Sequence, residues 1–222
     1  VSEAKPGTLY YGSQYVHVSS DQGESWKTIS PDLTTDDPKR QRQSTTGGLT
    51  IDNSTAENNA TIYTIAESEI DGDVLWVGSD DGLIHVSQNA GESWKSVSKN
   101  IKGVPKGTWV SRITTSSHDK GTAFVTFDGH RTGDMKTYVY QTTDFGKSWE
   151  KLSAADVGYA WIMRQDTVNP DLYFLGTEFG LYVSLDAGQN WARFKENLPK
   201  VAVHDMVIHP TEHDLILATH GR

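Results

Sequence analysis

The chain has 222 residues, 36% of them apolar and 22% charged, with a formal net charge of -9. That length buries a sizeable core as one large or two small domains, and no run approaches the ~20 apolar residues needed to cross a bilayer. The acidic balance argues against nucleic acid as the main partner, because a phosphate backbone rewards clustered Lys and Arg, and the one basic run, Lys39-Arg40-Gln41-Arg42, reads as a solvated loop.

The first unit opens with LYYGSQYVHVS, which reads as strand, tight turn, strand. The phrase SSDQGESWKTIS follows it, and a close relative of that phrase returns three times, as SQNAGESWKSVS, TTDFGKSWEKLS and SLDAGQNWARFK. The aligned pattern is [S/T]-x-[D/N]-x-G-x-[S/N]-W. Its main residues are Asp21, Gly23 and Trp26; Asn89, Gly91 and Trp94; Asp144, Gly146 and Trp149; and Asp186, Gly188 and Trp191. The Asp or Asn oxygen is expected to accept turn N–H groups two or so residues on. The Gly supplies a positive φ, and the Trp offers an apolar plate between sheets.

The flanks of the box repeat as well. VLWVGSDDGLIHVS precedes the second copy and LYFLGTEFGLYVS the last, and further upstream lie the extended runs ATIYTIAES, WVSRITTSS, AWIMRQD and VAVHDMVIH. One unit is therefore four strands, A to D, with the box at the C–D turn. The shortest Trp-to-Trp repeat, between Trp149 and Trp191, is close to the ~40–45 residues of a four-stranded propeller blade. The expected fold is all-β, a propeller of four-stranded antiparallel blades forming an incomplete part of a larger ring. Its divisions are a partial blade 1–33, an inserted loop 34–59, blades 60–100, 109–153 and 159–198, and a partial blade 201–222. A second insertion is expected in FDGHRTGDMK.

The chain has no cysteine, so the fold needs no disulfide. It begins at Val1 without a charged or apolar leader, so a targeting signal was removed or never included. Asn53-Ser54-Thr55 and Asn59-Ala60-Thr61 match the glycosylation pattern.

The repeated phrase resembles the Asp-box, or BNR repeat, of sialidases, sortilin-type receptors, xyloglucanases and photosystem assembly factors. SPDLTTDDP, IAESEIDGDVLWVGSDDGLIHVSQNAGESW, FDGHR, YVYQTTDFGKSW, GTEFGLYVSLDAGQNW and ATHGR are similar to large secreted bacterial proteins labelled glycosyl hydrolase or sortilin-like BNR repeat protein. That resemblance implies a propeller region within a longer secreted, periplasmic or cell-surface chain, its remaining domains among the partners.

Chemistry is expected on the face opposite the boxes, where the B–C turns emerge. There Glu178 and Asp128 are the candidate catalytic carboxylates. Asp80, Asp81, His130, Arg131, His220 and Arg222 are candidate ligand-binding residues for a glycan or protein. Glycoside hydrolysis needs two carboxylates ~5–5.5 Å apart for retention or ~6.5–9.5 Å for inversion. The competing readings are that Asp80 and Asp81 form turns, and that His130 or Arg131 pairs with Asp128 or Asp134 to pin its loop. Sialidase chemistry fits poorly, since seven arginines supply no evident triad. No HExxH, phosphate loop or Gly-x-Ser-x-Gly elbow is present, so neither metal nor cofactor is expected. His209-Pro-Thr-Glu-His213 reads as a turn. The favoured function is binding or scaffolding, with glycoside hydrolysis as the alternative.

Overall fold

A computed structural model describes residues 1–42, 49–50, 53–54, 59–152 and 157–220; for 49–50 and 53–54 only the backbone is described. Part of the expected 34–59 insertion, and Arg222, lie outside the described residues. The strands are β1 (Leu9–Gly12), β2 (Val16–Ser19), β3 (Lys27–Thr28), β4 (Leu49–Thr50), β5 (Asn53–Ser54), β6 (Ile62–Glu67), β7 (Leu75–Ser79), β8 (Ile84–Ser87), β9 (Lys95–Ser96) and β10 (Trp109–Thr115). They continue as β11 (Ala123–Gly129), β12 (Asp134–Thr142), β13 (Glu150–Lys151), β14 (Ala160–Gln165), β15 (Tyr173–Thr177), β16 (Gly180–Ser184), β17 (Ala192–Arg193), β18 (Val203–Ile208) and β19 (Leu215–Thr219).

Three sheets hold four strands in sequence order, β6 to β9, β10 to β13 and β14 to β17. They are flanked by a three-stranded sheet, β1 to β3, and a two-stranded one, β18 and β19. All of these pairings are antiparallel. The strands A of successive blades, β6, β10, β14 and β18, pack on one another and so lie innermost. Their neighbours are stitched by side chain to backbone bonds: Thr115 Oγ1 to Glu67 O at 3.0 Å, Thr114 Oγ1 to Met163 O at 2.7 Å, and Arg164 Nε to Met206 O at 3.1 Å. Arg112 reaches past the next blade to Asp205, at 2.9 Å.

The boxes explain how blades adhere. In each, the first Ser or Thr hydroxyl accepts the Gly N–H, at 2.8 Å from Gly23 and 2.9 Å from Gly91, Gly146 and Gly188. The Asp or Asn oxygen accepts an N–H four residues on, not two, at 2.8–2.9 Å. The longer reach arises because two consecutive residues are left-handed, not the Gly alone; φ is 54° at Ala90 and 91° at Gly91. The Gly has a second duty. A Cβ on Gly91 would lie 2.6 Å from Ile29, one on Gly146 2.9 Å from Val97, and one on Gly188 3.1 Å from Leu152. Each contact residue stands three positions after the preceding blade's box Trp, so box and socket recur together. Trp94, Trp149 and Trp191 pack against buried clusters between blades, whereas Trp26 is 48% exposed.

FDGHRTGDMK is no slack insertion. β11 and β12 run into it, Gly129 pairs with Asp134, and a 3-10 turn at His130–Thr132 closes the hairpin. Asn59 is 2% exposed, so this expected glycosylation acceptor is not at the surface. His209–Asp214 is a turn, the His209 ring accepting the Glu212 N–H at 3.1 Å.

Candidate functional site

Each strand A carries the same irregularity: pairing with strand B skips one residue, Tyr63, Ser111, Trp161 and His204 in turn. A one-residue bulge re-aims side chains and raises local twist. Here it falls where each D–A link enters the innermost strand, beside the B–C turns.

An arc of rings crosses four blades at that level. Tyr63 lies 5.5 Å from Trp109, whose face carries the Arg131 guanidinium at 3.8 Å. His130 stacks on Tyr159 at 4.9 Å, Tyr159 meets Trp161 edge-on at 5.3 Å, and Trp161 stacks on His204 at 4.5 Å. His220 ends the arc, 5.8 Å from His204. Such stacks and cation–π contacts hold rings in fixed geometry. Tyr63, Arg131 and His220 are exposed, and His130, Tyr159, Trp161 and His204 are half-buried.

Carboxylates back the rings. Asp128, 5% exposed, accepts from the His130 N–H at 2.9 Å and faces His130 Nδ1 at 2.6 Å. Tyr159 donates its phenol to Glu178. Burial, then that hydrogen bond and the Glu178 and Asp128 charges, push its pKa up to about 12. At neutral pH the phenol is therefore a donor rather than a nucleophile. Tyr138, bonded to Asp134 at 2.7 Å, is likewise pushed up to about 12, burial being the larger cause.

Of the residues singled out in the sequence, Asp128, His130, Arg131, Glu178 and His220 all belong to this arc or its backing. Asp80 and Asp81 do not join it. Asp80, 4% exposed, accepts from the Ala60 and Thr61 N–H groups, and Asp81, 3% exposed, accepts from Thr35 and Ser79. Both carboxylates anchor incoming links to the B–C turn, a longer-range role than the turn-forming one weighed for them above. The box carboxylates are spent within their own turns. Trp109, Tyr159, Trp161 and His204 were hidden by strand periodicity. Their signal was an aromatic or His at the mouth of each strand A, in GTWV, GYAW and VAVH.

A family profile described as Sortilin, neurotensin receptor 3 (Sortilin-Vps10) matches residues 137–222. The chain is 28% identical over 176 residues to Vacuolar protein sorting/targeting protein 10 of Mycosarcoma maydis, covering 71% of this chain and 10% of that protein. Among solved structures it is similar to the GH74 xyloglucanase from Xanthomonas campestris, with TM-score 0.61 and 18% identity over 88% of this chain and 29% of that one. The extracellular domain of a one-component system from B. thetaiotaomicron gives TM-score 0.62 and 14% identity, over 97% of this chain and 25% of that one. YCF48 bound to D1 peptide gives 0.53 and 17%, over 93% and 56%. The chain thus spans about a tenth of the curated relative's length and about a quarter of the first two structures. With its four repeated turns, its four-stranded sheets and these likenesses, the chain has a β-propeller fold.

Proposed function

We propose that these blades present a binding surface within a longer secreted protein, and that a glycan or protein ligand seats on the aromatic–imidazole arc. One observation carries the reading: rings contributed by four different blades converge at one level, where the repeated scaffold needs no aromatic. Stacked rings give an amphipathic ligand an apolar face, and Glu178, the imidazoles and Arg131 meet its polar edge. Ala at Trp161 removes the ring that joins Tyr159 to His204. For a central aromatic anchor the expected loss is about 2 kcal/mol, roughly thirty-fold in affinity, read by glycan-array or peptide binding of wild type against Trp161→Ala. Unchanged binding with the fold intact would sink the assignment.

Glycoside hydrolysis has one arrangement in its favour, that the two carboxylates flank one ring stack, Asp128 beside His130 and Glu178 beside Tyr159. Against it, Asp128 is committed to His130. Glu178→Gln separates the readings: turnover lost with affinity kept supports an enzyme, and affinity changed without any turnover to lose supports binding.

A further inference from the structure

The long link that leaves the first blade and the link between the second and third enclose a cleft made by residues outside the arc. It consists of two adjoining cavities that share Thr35, Asp81, Lys106 and Gly107 in their walls. The inner one, about 430 Å3, is walled by Leu83, Ile101, Val104, Pro105 and Phe127. The outer one, about 500 Å3, is bordered by Asp36, Asp37, Arg40 and Lys106.

Backbone, more than mobile side chains, sets its shape. Asp81 accepts the Thr35 N–H at 2.6 Å and its hydroxyl at 2.7 Å, which fastens the first link to the second blade's B–C turn. Gly82 sits so close to the second link that a Cβ would lie 2.8 Å from the Thr108 carbonyl oxygen. Gly107 gives room to the Arg40 guanidinium, which a Cβ there would approach to 2.8 Å. The cleft is therefore built before any ligand arrives, and the inner cavity alone falls within the roughly 300–1,000 Å3 of small-molecule sites.

Its two parts differ in chemistry: the inner cavity is chiefly apolar, and the outer one is bordered by the cations Lys106 and Arg40 together with the carboxylates of Asp36 and Asp37. That combination, an apolar chamber opening beside charges of both signs, complements a molecule bearing an apolar side chain, a carboxylate and an ammonium on one carbon atom. We propose that the cleft binds a free apolar α-amino acid of leucine or phenylalanine size. The side chain lies against Ile101 and Val104, the carboxylate meets Lys106, and the ammonium lies between Asp36 and Asp37. The apolar pocket supplies part of the affinity, and the charges at its mouth, acting together on one ligand, add to it and fix the orientation.

Isothermal titration of the 222-residue chain tests this with four probes: L-leucine, glycine, 4-methylpentanoate (which lacks the ammonium) and 3-methylbutylamine (which lacks the carboxylate). Saturable binding of leucine is expected, with the other three at least ten-fold weaker. Val104→Trp fills the inner cavity and Lys106→Gln removes the carboxylate's partner. Each should weaken leucine at least ten-fold with near-UV circular dichroism unchanged, and the exposed Lys106 keeps the test decisive should Val104→Trp misfold. The proposal is overturned if leucine does not saturate, or if leucine binding survives Lys106→Gln. It is equally overturned if 4-methylpentanoate binds as well as leucine, which would make the cleft a site for hydrophobic acids.

Discussion

The two ends of a blade obey different rules. At the C–D end, four boxes repeat closely similar side chains with the same bond from the Asp or Asn oxygen to the N–H four residues on, and Gly91, Gly146 and Gly188 each sit on the preceding blade. At the B–C end, the residue skipped by the strand A bulge is Tyr, Ser, Trp or His in successive blades. The backbone device repeats there and the side chain does not. Sameness at one end follows from blade-to-blade packing, which poses an identical problem at every interface. Variety at the other follows from the absence of any such constraint.

The largest expected effect breaks the packing end. Gly91→Ala combines a left-handed φ with a Cβ 2.6 Å from Ile29, and should destabilise the fold by about 2–4 kcal/mol. Gly133→Ala is its control: φ is similarly positive, but nothing lies within 4 Å of the added carbon, leaving only the backbone part, about 1–2 kcal/mol. Denaturant midpoints of the two variants measure the difference. Equal losses would mean that the box Gly serves its own turn alone and that blades adhere by other contacts.

The same contrast explains what was legible in the sequence. Fold class and blade units were readable because Gly, Asp and Trp recur at fixed offsets and strands alternate around them. The face bearing Asp128, His130, Glu178 and His220 followed from strand parity, which needs no distances. Trp161 and His204 escaped because a bulge inserts one residue into a period of two, so parity fails at the residues that form the arc. Asp80 and Asp81 looked available because a turn carboxylate and a binding carboxylate share one local sequence. Only the Ala60, Thr61 and Thr35 N–H groups, brought in by distant links, show that they are occupied.

Acid should weaken the box end. The Asp21, Asp144 and Asp186 carboxyls lie below their ordinary value. In Asp21 and Asp186 the side-chain hydrogen bonds to Ser25 and Asn190 are the chief cause; in Asp144, burial opposes similar bonds and is outweighed. A folded value below the unfolded one contributes stability that is complete above the ordinary carboxylate value and is lost as pH falls through the folded value, about 2 for Asp21. Thermal midpoints should therefore drop between about pH 4 and pH 2. Asp21→Asn, Asp144→Asn and Asp186→Asn combined should flatten that drop, and an unchanged slope would place the acid-sensitive groups elsewhere.

The smallest effect is the sharpest probe of whether the boxes are interchangeable. The second box already carries Asn89, whose Oδ1 accepts the Ser93 N–H at 2.9 Å, as Asp144 accepts that of Ser148. Asn89 also donates its amide to the Ser93 hydroxyl at 2.9 Å, whereas Asp144 accepts from the Ser148 hydroxyl at 2.6 Å. The hydroxyl can rotate to serve either partner, since its proton is free to follow. Asn89→Asp should therefore change stability at pH 7 by less than about 0.5 kcal/mol, yet steepen the loss below pH 4 by adding a fourth box carboxyl held low by its turn. Neutral pH tests the turn's geometry and acid tests its charge, so a large loss at pH 7 would mean that the second box has a surrounding the other three lack.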